Sequence, residues 1–89
     1  MKRIHIIFSG KVQGIGFRYR SLNLAEKMAI NGWVKNLQDD KVEMMAEAEE
    51  KNLQDFIAEI QKYFSNYIQD IQLEWQKPTG EFQNFQVRF

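Results

Sequence analysis

A glycine-rich segment that ends in an arginine is the part of this sequence with the clearest chemical potential. Residues 10–18 read Gly-Lys-Val-Gln-Gly-Ile-Gly-Phe-Arg and follow an alternating apolar run. Glycines let backbone N–H groups converge on one point, a following helix adds partial positive charge, and a guanidinium matches phosphate oxygens. The segment therefore predicts an anion site; the alternative is a glycine-rich turn that only reverses the chain.

The glycine spacing does not fit two common nucleotide-binding loops. A Walker A loop closes on Lys-Ser or Lys-Thr, and this segment has neither pair. The positions of Gly10, Gly14 and Gly16 depart from the G-x-G-x-x-G pattern, and 89 residues are few for a full dinucleotide-binding domain. Neither of these two nucleotide sites is expected.

Composition narrows the classes of protein and of site. The 89 residues predict one domain, residues 1–89, with no cysteine for disulfides or thiolate chemistry and a single histidine for metal binding. The formal net charge of zero argues against general nucleic-acid binding, although residues 1–45 carry eight basic and four acidic residues, a charge of +4.

The N-terminal residues resemble a signal peptide only superficially. Their basic start is followed by an apolar run that Ser9 and Gly10 interrupt, so we interpret it as a strand. No apolar run reaches membrane-spanning length. A cytoplasmic protein without a membrane partner is expected.

The positions around the glycine segment predict a strand followed by a helix. Residues 3–9 alternate between two faces, with Ile4, Ile6 and Phe8 on one of them, which is the period of a strand. Residues 18–30 have helical spacing and are expected to end at Asn31-Gly32. The apolar stripe of this helix is predicted to contain Leu22, Ala25, Met28 and Ala29.

The rest of the chain predicts a hairpin, a second helix and two further strands. The predicted elements are a strand over 33–37, a turn over 38–41, a strand over 42–48, a helix over 49–64, a strand through Ile71, Leu73 and Trp75, a break at Pro78-Thr79-Gly80 and a last strand over 85–89. This order predicts an α+β fold, the ferredoxin-like β-α-β-β-α-β sandwich, with a mostly antiparallel sheet, two helices on one face and a short extra C-terminal strand. Because that fold carries many functions, it decides none by itself.

Two motifs in this order closely resemble the signature of acylphosphatases. The first is residues 10–18, and the second is Gly32-Trp33-Val34-Lys35-Asn36, followed by Leu37, Asp39, Val42 and Glu43. The resemblance covers nearly the whole chain, since length and element order also agree. It implies a hydrolase of carboxyl-phosphate mixed anhydrides that needs no metal or cofactor. Its substrate would be a small acyl phosphate, and inorganic phosphate or a similar anion would occupy the same site.

The resemblance also implies roles for single residues. The phosphoryl group would be held by the backbone amides of Gln13, Gly14, Ile15, Gly16, Phe17 and Arg18. The Arg18 guanidinium would complete this cradle, and Asn36 would orient the attacking water. Phosphoryl transfer needs mainly positioning and electrostatic stabilisation, and an asparagine can hold water without acting as a base. The substrate phosphate itself is then the expected proton acceptor.

Several neighbouring residues are given structural roles. Trp33, Phe17 and Val34 are expected in the core, and Gln13 is expected to use only its backbone. His5 is interpreted as a surface or half-buried strand histidine. Tyr19 and Arg20 are candidates for the rim of the pocket, with a plain surface position as the alternative.

Two positions depart from the usual pattern of the family. Asp40 stands in the hairpin turn where a glycine is common, and such a turn often needs positive φ. We therefore expect a small cost in stability rather than lost activity. Ala48 replaces a glycine that often follows the glutamate at the end of the third strand.

Two other readings remain open at the level of sequence. One is a non-catalytic module that binds an acyl or carbamoyl phosphate on the same fold, as acylphosphatase-like domains of larger maturation proteins do. The other is an RNA-recognition module, which needs aromatic residues on an open basic sheet face; zero net charge and the lack of an RNP-type aromatic cluster argue against it. A monomer is expected, and an exposed edge over residues 85–89 is the alternative that would pair with another chain.

Overall fold

The computed structural model describes all 89 residues and contains one five-stranded sheet. Its elements are β1 (Lys2–Gly10), α1 (Phe17–Lys27), β2 (Asn31–Asn36), β3 (Val42–Ala48), α2 (Glu50–Tyr63), β4 (Ile68–Gln76) and β5 (Phe85–Arg88). The strand order is β4-β1-β3-β2-β5, in which only the β2–β5 pair is parallel. The predicted ferredoxin-like α+β fold with its extra C-terminal strand is confirmed.

Strand β1 lies inside the sheet and carries the predicted alternation. Ile4, Ile6 and Phe8 are fully buried, and they lie opposite Ala46, Met44 and Val42 of β3. These residues share one core with the buried faces of both helices. Fully burying a side chain of this size contributes about 1.5–3 kcal/mol. The N-terminal apolar run is therefore the centre of the sheet, as its pattern predicts.

Helix α2 agrees closely with its prediction. It covers Glu50–Tyr63, against the predicted 49–64, and it buries Leu53, Phe56, Ile57 and Ile60. Their spacing places them on one face of the helix. Glu50 in the first turn carries the charge that a helix N-terminus favours.

Helix α1 is shorter than predicted, and its predicted stop is wrong. The helix ends at Lys27, because Ala29 takes a left-handed backbone conformation with φ of 56°. The N–H of Ile30 then bonds back to the carbonyl of Ala25 at 2.9 Å, which closes the helix end. Asn31 and Gly32 instead begin β2. Alanine rarely adopts this conformation, so residue type gave no signal for the true end.

The buried face of α1 also differs from the predicted stripe. It consists of Phe17, Ser21 and Ala25, with Leu22 and Met28 only partly buried against the core. Ala29 lies beyond the helix. The hydroxyl of Ser21 is fully buried without a hydrogen-bond partner, and a polar residue at a core position is not expected from the apolar pattern.

The two edge strands are β4 and β5. Leu73 and Trp75 of β4 remain 42% and 43% exposed although they follow the predicted alternation. They lie opposite the buried Ile6 and Ile4 on the helix-covered side of the sheet. They stay partly exposed because an edge strand has a neighbouring strand on only one side. Strand β5 runs parallel to β2, and Phe85 is its buried anchor.

A connection over residues 77–84 crosses the helix-free face of the sheet from β4 to β5. It is anchored on Glu47, whose carboxylate is 2% exposed and accepts the backbone N–H groups of Thr79 at 2.8 Å and Gly80 at 3.0 Å. Arg3 lies beside the same carboxylate at 3.6 Å and donates to Glu81 at 2.9 Å. The buried Glu47 therefore fixes the path that leads to β5.

The β2–β3 hairpin turn has the predicted backbone conformation. Asp40 has φ of 66°, the left-handed value that a glycine adopts more easily. The N–H of Leu37 donates to the carbonyl of Lys41 at 2.8 Å and closes the turn. Ala48, the second departure from the family pattern, is the last residue of β3 and is buried in the core.

Neither helix of this fold has the length and apolar character needed to cross a membrane.

Candidate active site

The segment between β1 and α1 forms a loop with six unpaired backbone donors. None of the backbone N–H groups of residues 13–18 donates to a backbone carbonyl. Gly14 and Gly16 both have φ of 78°, a left-handed conformation that most side chains disfavour. Gly16 also directly precedes α1, whose first turn leaves its N–H groups free. The loop therefore offers a cluster of donors at the positive end of a helix.

The first glycine of the motif has a different task. At Gly10 a Cβ would lie 2.3 Å from the carbonyl oxygen of Tyr67, so a side chain does not fit there. The next residue, Lys11, donates its N–H to that same carbonyl at 2.9 Å. Gly10 therefore permits close contact between the ends of β1 and β4, whereas the anion loop proper begins after it.

Gln13 ties the loop to the β2–β3 hairpin. Its Nε2 group donates to the carbonyls of Leu37 and Lys41, each at 2.8 Å. The side chain of Gln13 therefore has a structural role, while the expectation that Gln13 contributes only its backbone to the anion site stays a prediction. The side chain bonds both ends of the hairpin turn, so the position of the loop depends on the position of the hairpin.

Arg18 and Asn36 lie at the same small cavity. Arg18 is in the first turn of α1, and Asn36 is the last residue of β2. The cavity has a volume of about 140 Å³, and its walls also include Gly14, Gly16, Phe17 and Tyr19. The fold therefore brings together the two side chains that the sequence singles out.

Asn36 has an unusual free acceptor. Its Oδ1 atom is buried and has no hydrogen-bond partner. A buried polar atom without a partner costs free energy of about 1–3 kcal/mol. Asn36 thus borders the cavity and carries an acceptor that no group of the protein occupies.

The guanidinium of Arg18 is held by the end of the chain. It donates to the backbone carbonyl of Arg88 at 3.3 Å and lies 4.8 Å from the centre of the Phe89 ring. A cation in the first turn of a helix interacts unfavourably with the helix dipole. The contacts of the guanidinium with a carbonyl and with an aromatic face offset part of this unfavourable energy. Neither contact is suggested by the sequence, because 70 residues separate Arg18 from Arg88.

The two rim candidates separate in the structure. Tyr19 is 54% exposed and forms part of the cavity wall. Arg20 instead lies 4.2 Å from the Tyr63 ring of α2 and does not belong to that wall. Tyr19 is therefore the rim residue, whereas Arg20 is half-buried against α2, away from the cavity.

Of the residues expected in the core or on a strand surface, only Phe17 also borders the cavity. Phe17 and Val34 belong to the main core, as expected. Trp33 is buried on the helix-free face of the sheet, where Arg88 and Lys35 lie against its ring at 4.9 and 5.4 Å. His5, on that same face, is half-buried, and its Nε2 is 2.7 Å from a carboxylate oxygen of Glu43.

The only charged side chain at the cavity is a cation. Arg18 is the one ionised side chain among its lining residues at neutral pH, and no acidic residue or histidine faces it. No group of three or more histidine, cysteine, aspartate or glutamate side chains is arranged to share a metal ion. The arrangement can bind an anion through N–H groups and a guanidinium, and can hold a water molecule through an amide.

Comparisons with known proteins agree with this geometry. The family model described as Acylphosphatase matches residues 4–87. The acylphosphatase of Bacillus licheniformis is 40% identical over 91 residues, and the match covers 100% of both chains. The crystal structure of acylphosphatase from Bacillus subtilis is similar with a TM-score of 0.91 at 33% identity, again over 100% of both chains.

The same fold also occurs inside longer proteins. The crystal structure of full-length HypF in the phosphate- and nucleotide-bound form is similar with a TM-score of 0.81 at 26% identity, over 99% of this chain but only 12% of that one. The matches that extend over entire relatives are to acylphosphatases. Together with the family match over residues 4–87, they show that this chain belongs to the acylphosphatase family of hydrolases.

Proposed function

We propose that this protein hydrolyses carboxyl-phosphate mixed anhydrides, with the phosphoryl group in the loop of residues 13–18 and the attacking water on Asn36. The observation that carries the proposal is that Arg18 and Asn36 face one small cavity beside six unpaired backbone N–H groups. An anion with several oxygens satisfies such donors, and a tetrahedral phosphate has a suitable size.

The proposed reaction needs binding and orientation rather than a covalent enzyme intermediate. The backbone N–H groups and the Arg18 guanidinium stabilise negative charge on the equatorial phosphoryl oxygens. The Oδ1 atom of Asn36 accepts a hydrogen bond from water and aims its oxygen at phosphorus. The new P–O bond forms as the bond to the acyl oxygen breaks, and the carboxylate leaves with the bonding electrons.

Proton transfer in this scheme does not require a side chain. An amide is not a base at neutral pH, and the cavity has no carboxylate or histidine. The proton of the attacking water therefore passes to a phosphate oxygen. The departing carboxylate is a weak base, so no general acid is needed. The products are a carboxylate and inorganic phosphate.

The test is hydrolysis of benzoyl phosphate in the presence of EDTA. We expect turnover by the parent and a loss of about 100-fold or more in kcat/KM for Arg18→Ala, the scale of losing one donor to a developing charge. Asn36→Ala should lower kcat with little change in phosphate affinity, because Asn36 contacts the water. Arg20→Ala and Asn66→Ala, which remove the same side-chain types outside the cavity, should keep parental rates.

A second candidate function is a domain that binds an acyl or carbamoyl phosphate without hydrolysing it. The observation that favours it is the similarity of this chain to part of the longer HypF, whose crystal structure is in a phosphate- and nucleotide-bound form. Phosphate binding that depends on Arg18, combined with no turnover, would support this second function. Turnover that is lost in Arg18→Ala and Asn36→Ala but kept in the two control variants would exclude it.

We further infer that residues 1–89 act as a single domain, as a monomer in the cytoplasm. The shared core supports one domain, since it includes residues of both helices and of β1, β2, β3 and β5, and Ile68 and Ile71 of β4 pack against it. Size-exclusion chromatography of the 10.6 kDa chain at high concentration tests the monomer. A dimer would instead support pairing between two chains through an edge strand, β4 or β5. Cell fractionation tests the location.

A further inference from the structure

A second depression lies on the other side of the anion loop. It has a volume of about 390 Å³, and its walls include Gly10, Lys11, Val12, Ile15, Asp40 and Tyr67. Val12, Ile15 and Tyr67 make much of this wall apolar. We call this depression the acyl groove.

The acyl groove and the phosphoryl cavity border the same loop. Val12 belongs to both linings, while Ile15 lines the groove and its neighbours Gly14 and Gly16 line the cavity. Because consecutive Cα atoms are about 3.8 Å apart, the residues of the loop that line the groove are direct neighbours of those that line the cavity.

The groove extends along the loop between two ends of the sheet. Tyr67 directly precedes β4, whereas Asp40 lies in the hairpin turn between β2 and β3. The strand order β4-β1-β3-β2 places β1 between these two walls, and the loop that follows β1 forms the rest of the lining.

The charges at the acyl groove favour a neutral acyl group. Lys11 and Asp40 are both exposed, and neither forms an ion pair. Their opposite charges offset one another at the groove. Selection there rests on apolar contact with Ile15 and on the Tyr67 ring, which is 43% exposed and so has free surface for a ligand.

We propose that the acyl groove receives the acyl part of the substrate and that Tyr67 is a specificity residue which favours uncharged aromatic acyl groups. This inference rests on the proposed function. An aromatic ring in the groove contacts the Tyr67 ring, whereas an acetyl group is too small to gain much from it. Aromatic pairs of this kind change affinity by about three- to tenfold.

The experiment compares kcat/KM for benzoyl phosphate and acetyl phosphate in the parent, Tyr67→Ala and Tyr67→Phe. Dividing one substrate's value by the other removes effects common to both. We expect Tyr67→Ala to lower the benzoyl-to-acetyl ratio about three- to tenfold, with inhibition by inorganic phosphate unchanged. Tyr67→Phe keeps the ring and should keep the ratio. The backbone bond from Lys11 to Tyr67 remains in both variants.

The matched control is Trp75→Ala, because Trp75 is an equally exposed aromatic residue at the other end of β4. Its ratio should equal that of the parent. Equal losses on both substrates in Tyr67→Ala, or no loss on either, would overturn the proposal. A fall in the ratio for Tyr19→Ala instead would move the acyl group to the opposite rim. Absence of turnover in the parent would refute the proposed function itself, which is a distinguishable result.

Discussion

Glu47→Gln is predicted to lower the stability of the fold while it leaves the size and shape of the side chain almost unchanged. Both carboxylate oxygens are in use: one accepts the N–H of Thr79 and faces Arg3, and the other accepts the N–H of Gly80. A glutamine has one oxygen, so its NH₂ group must face one of these two N–H donors. The buried position keeps water from replacing the lost acceptor.

The magnitude follows from the lost contacts. A hydrogen bond to a charged group contributes about 1.5–3 kcal/mol, and a buried donor left without a partner costs about 1–3 kcal/mol. These two values describe overlapping parts of one change, so we expect a loss of about 2–3 kcal/mol in the free energy of unfolding. For a domain of this size, each kcal/mol lowers Tm by about 4–8 °C, which gives a fall of about 8–24 °C.

Urea unfolding at pH 7, followed by tryptophan fluorescence, measures this loss. Glu43→Gln is the matched control, since Glu43 is on the same strand and face but contacts only the side chains of His5 and Lys35. It is also more exposed than Glu47. Partly exposed pairs of this type contribute about 1 kcal/mol or less. The control should therefore lose clearly less stability than Glu47→Gln.

Activity separates a loss of stability from a change in the site. Glu47 pairs with Asn31 at the start of β2, whereas Asn36 is at its end. At a temperature where Glu47→Gln is fully folded, we expect kcat/KM for benzoyl phosphate to match that of the parent. A variant as stable as the parent within about 0.5 kcal/mol would refute the reasoning, because the buried bonds would then contribute nothing.

Three further predictions test the turn, the crossing connection and the loop. Asp40→Gly should raise Tm by a few degrees, because glycine adopts the observed positive φ without strain; an unchanged or lower Tm contradicts this. Hydrogen bonds from Thr79 and then Arg3 lower the pKa of Glu81, so its stabilisation is present above the ordinary glutamate range and is lost as pH falls through the lowered folded-state value. Acid titrations of stability below about pH 4.3 should be shallower for Glu81→Gln than for the parent. Gln13→Leu should raise the inhibition constant of inorganic phosphate severalfold, because two bonds to the hairpin are lost; an unchanged constant would show that the loop holds its shape alone.

Local patterns of the sequence were enough to predict most of the fold. The alternation in β1 and the helical spacing in α2 each concern one element, and each element was recovered within a residue or two. The end of α1 was missed because it depends on Ala29 in a conformation that its residue type disfavours. The exposure of Trp75 was missed because residue pattern does not tell an edge strand from a central one.

The crossing connection was beyond sequence reasoning for a different reason. Glu47 reads as an ordinary charged residue in an alternating strand, and glutamate is rarely fully buried unless it is paired. Its partners Thr79 and Gly80 are more than 30 residues away and lie in a segment that reads only as a break. A buried carboxylate of this kind becomes visible only when the backbone donors of the connection are in place.

The candidate site shows how a short motif can indicate chemistry while leaving its geometry undetermined. The unpaired N–H groups of residues 13–18 belong to one segment, so the motif alone suggests an anion site. The loop itself, however, is fixed to the hairpin by Gln13, and Arg18 is fixed by the end of the chain, over separations of 24 and 70 residues. Both contacts require the complete sheet. Gln13 bonds the turn that follows β2, and Arg18 bonds Arg88 of β5, the strand that pairs with β2. Orientation of the phosphoryl and water sites is therefore a property of the sheet, and substitutions that loosen β5 should affect Arg18 before they affect the loop donors.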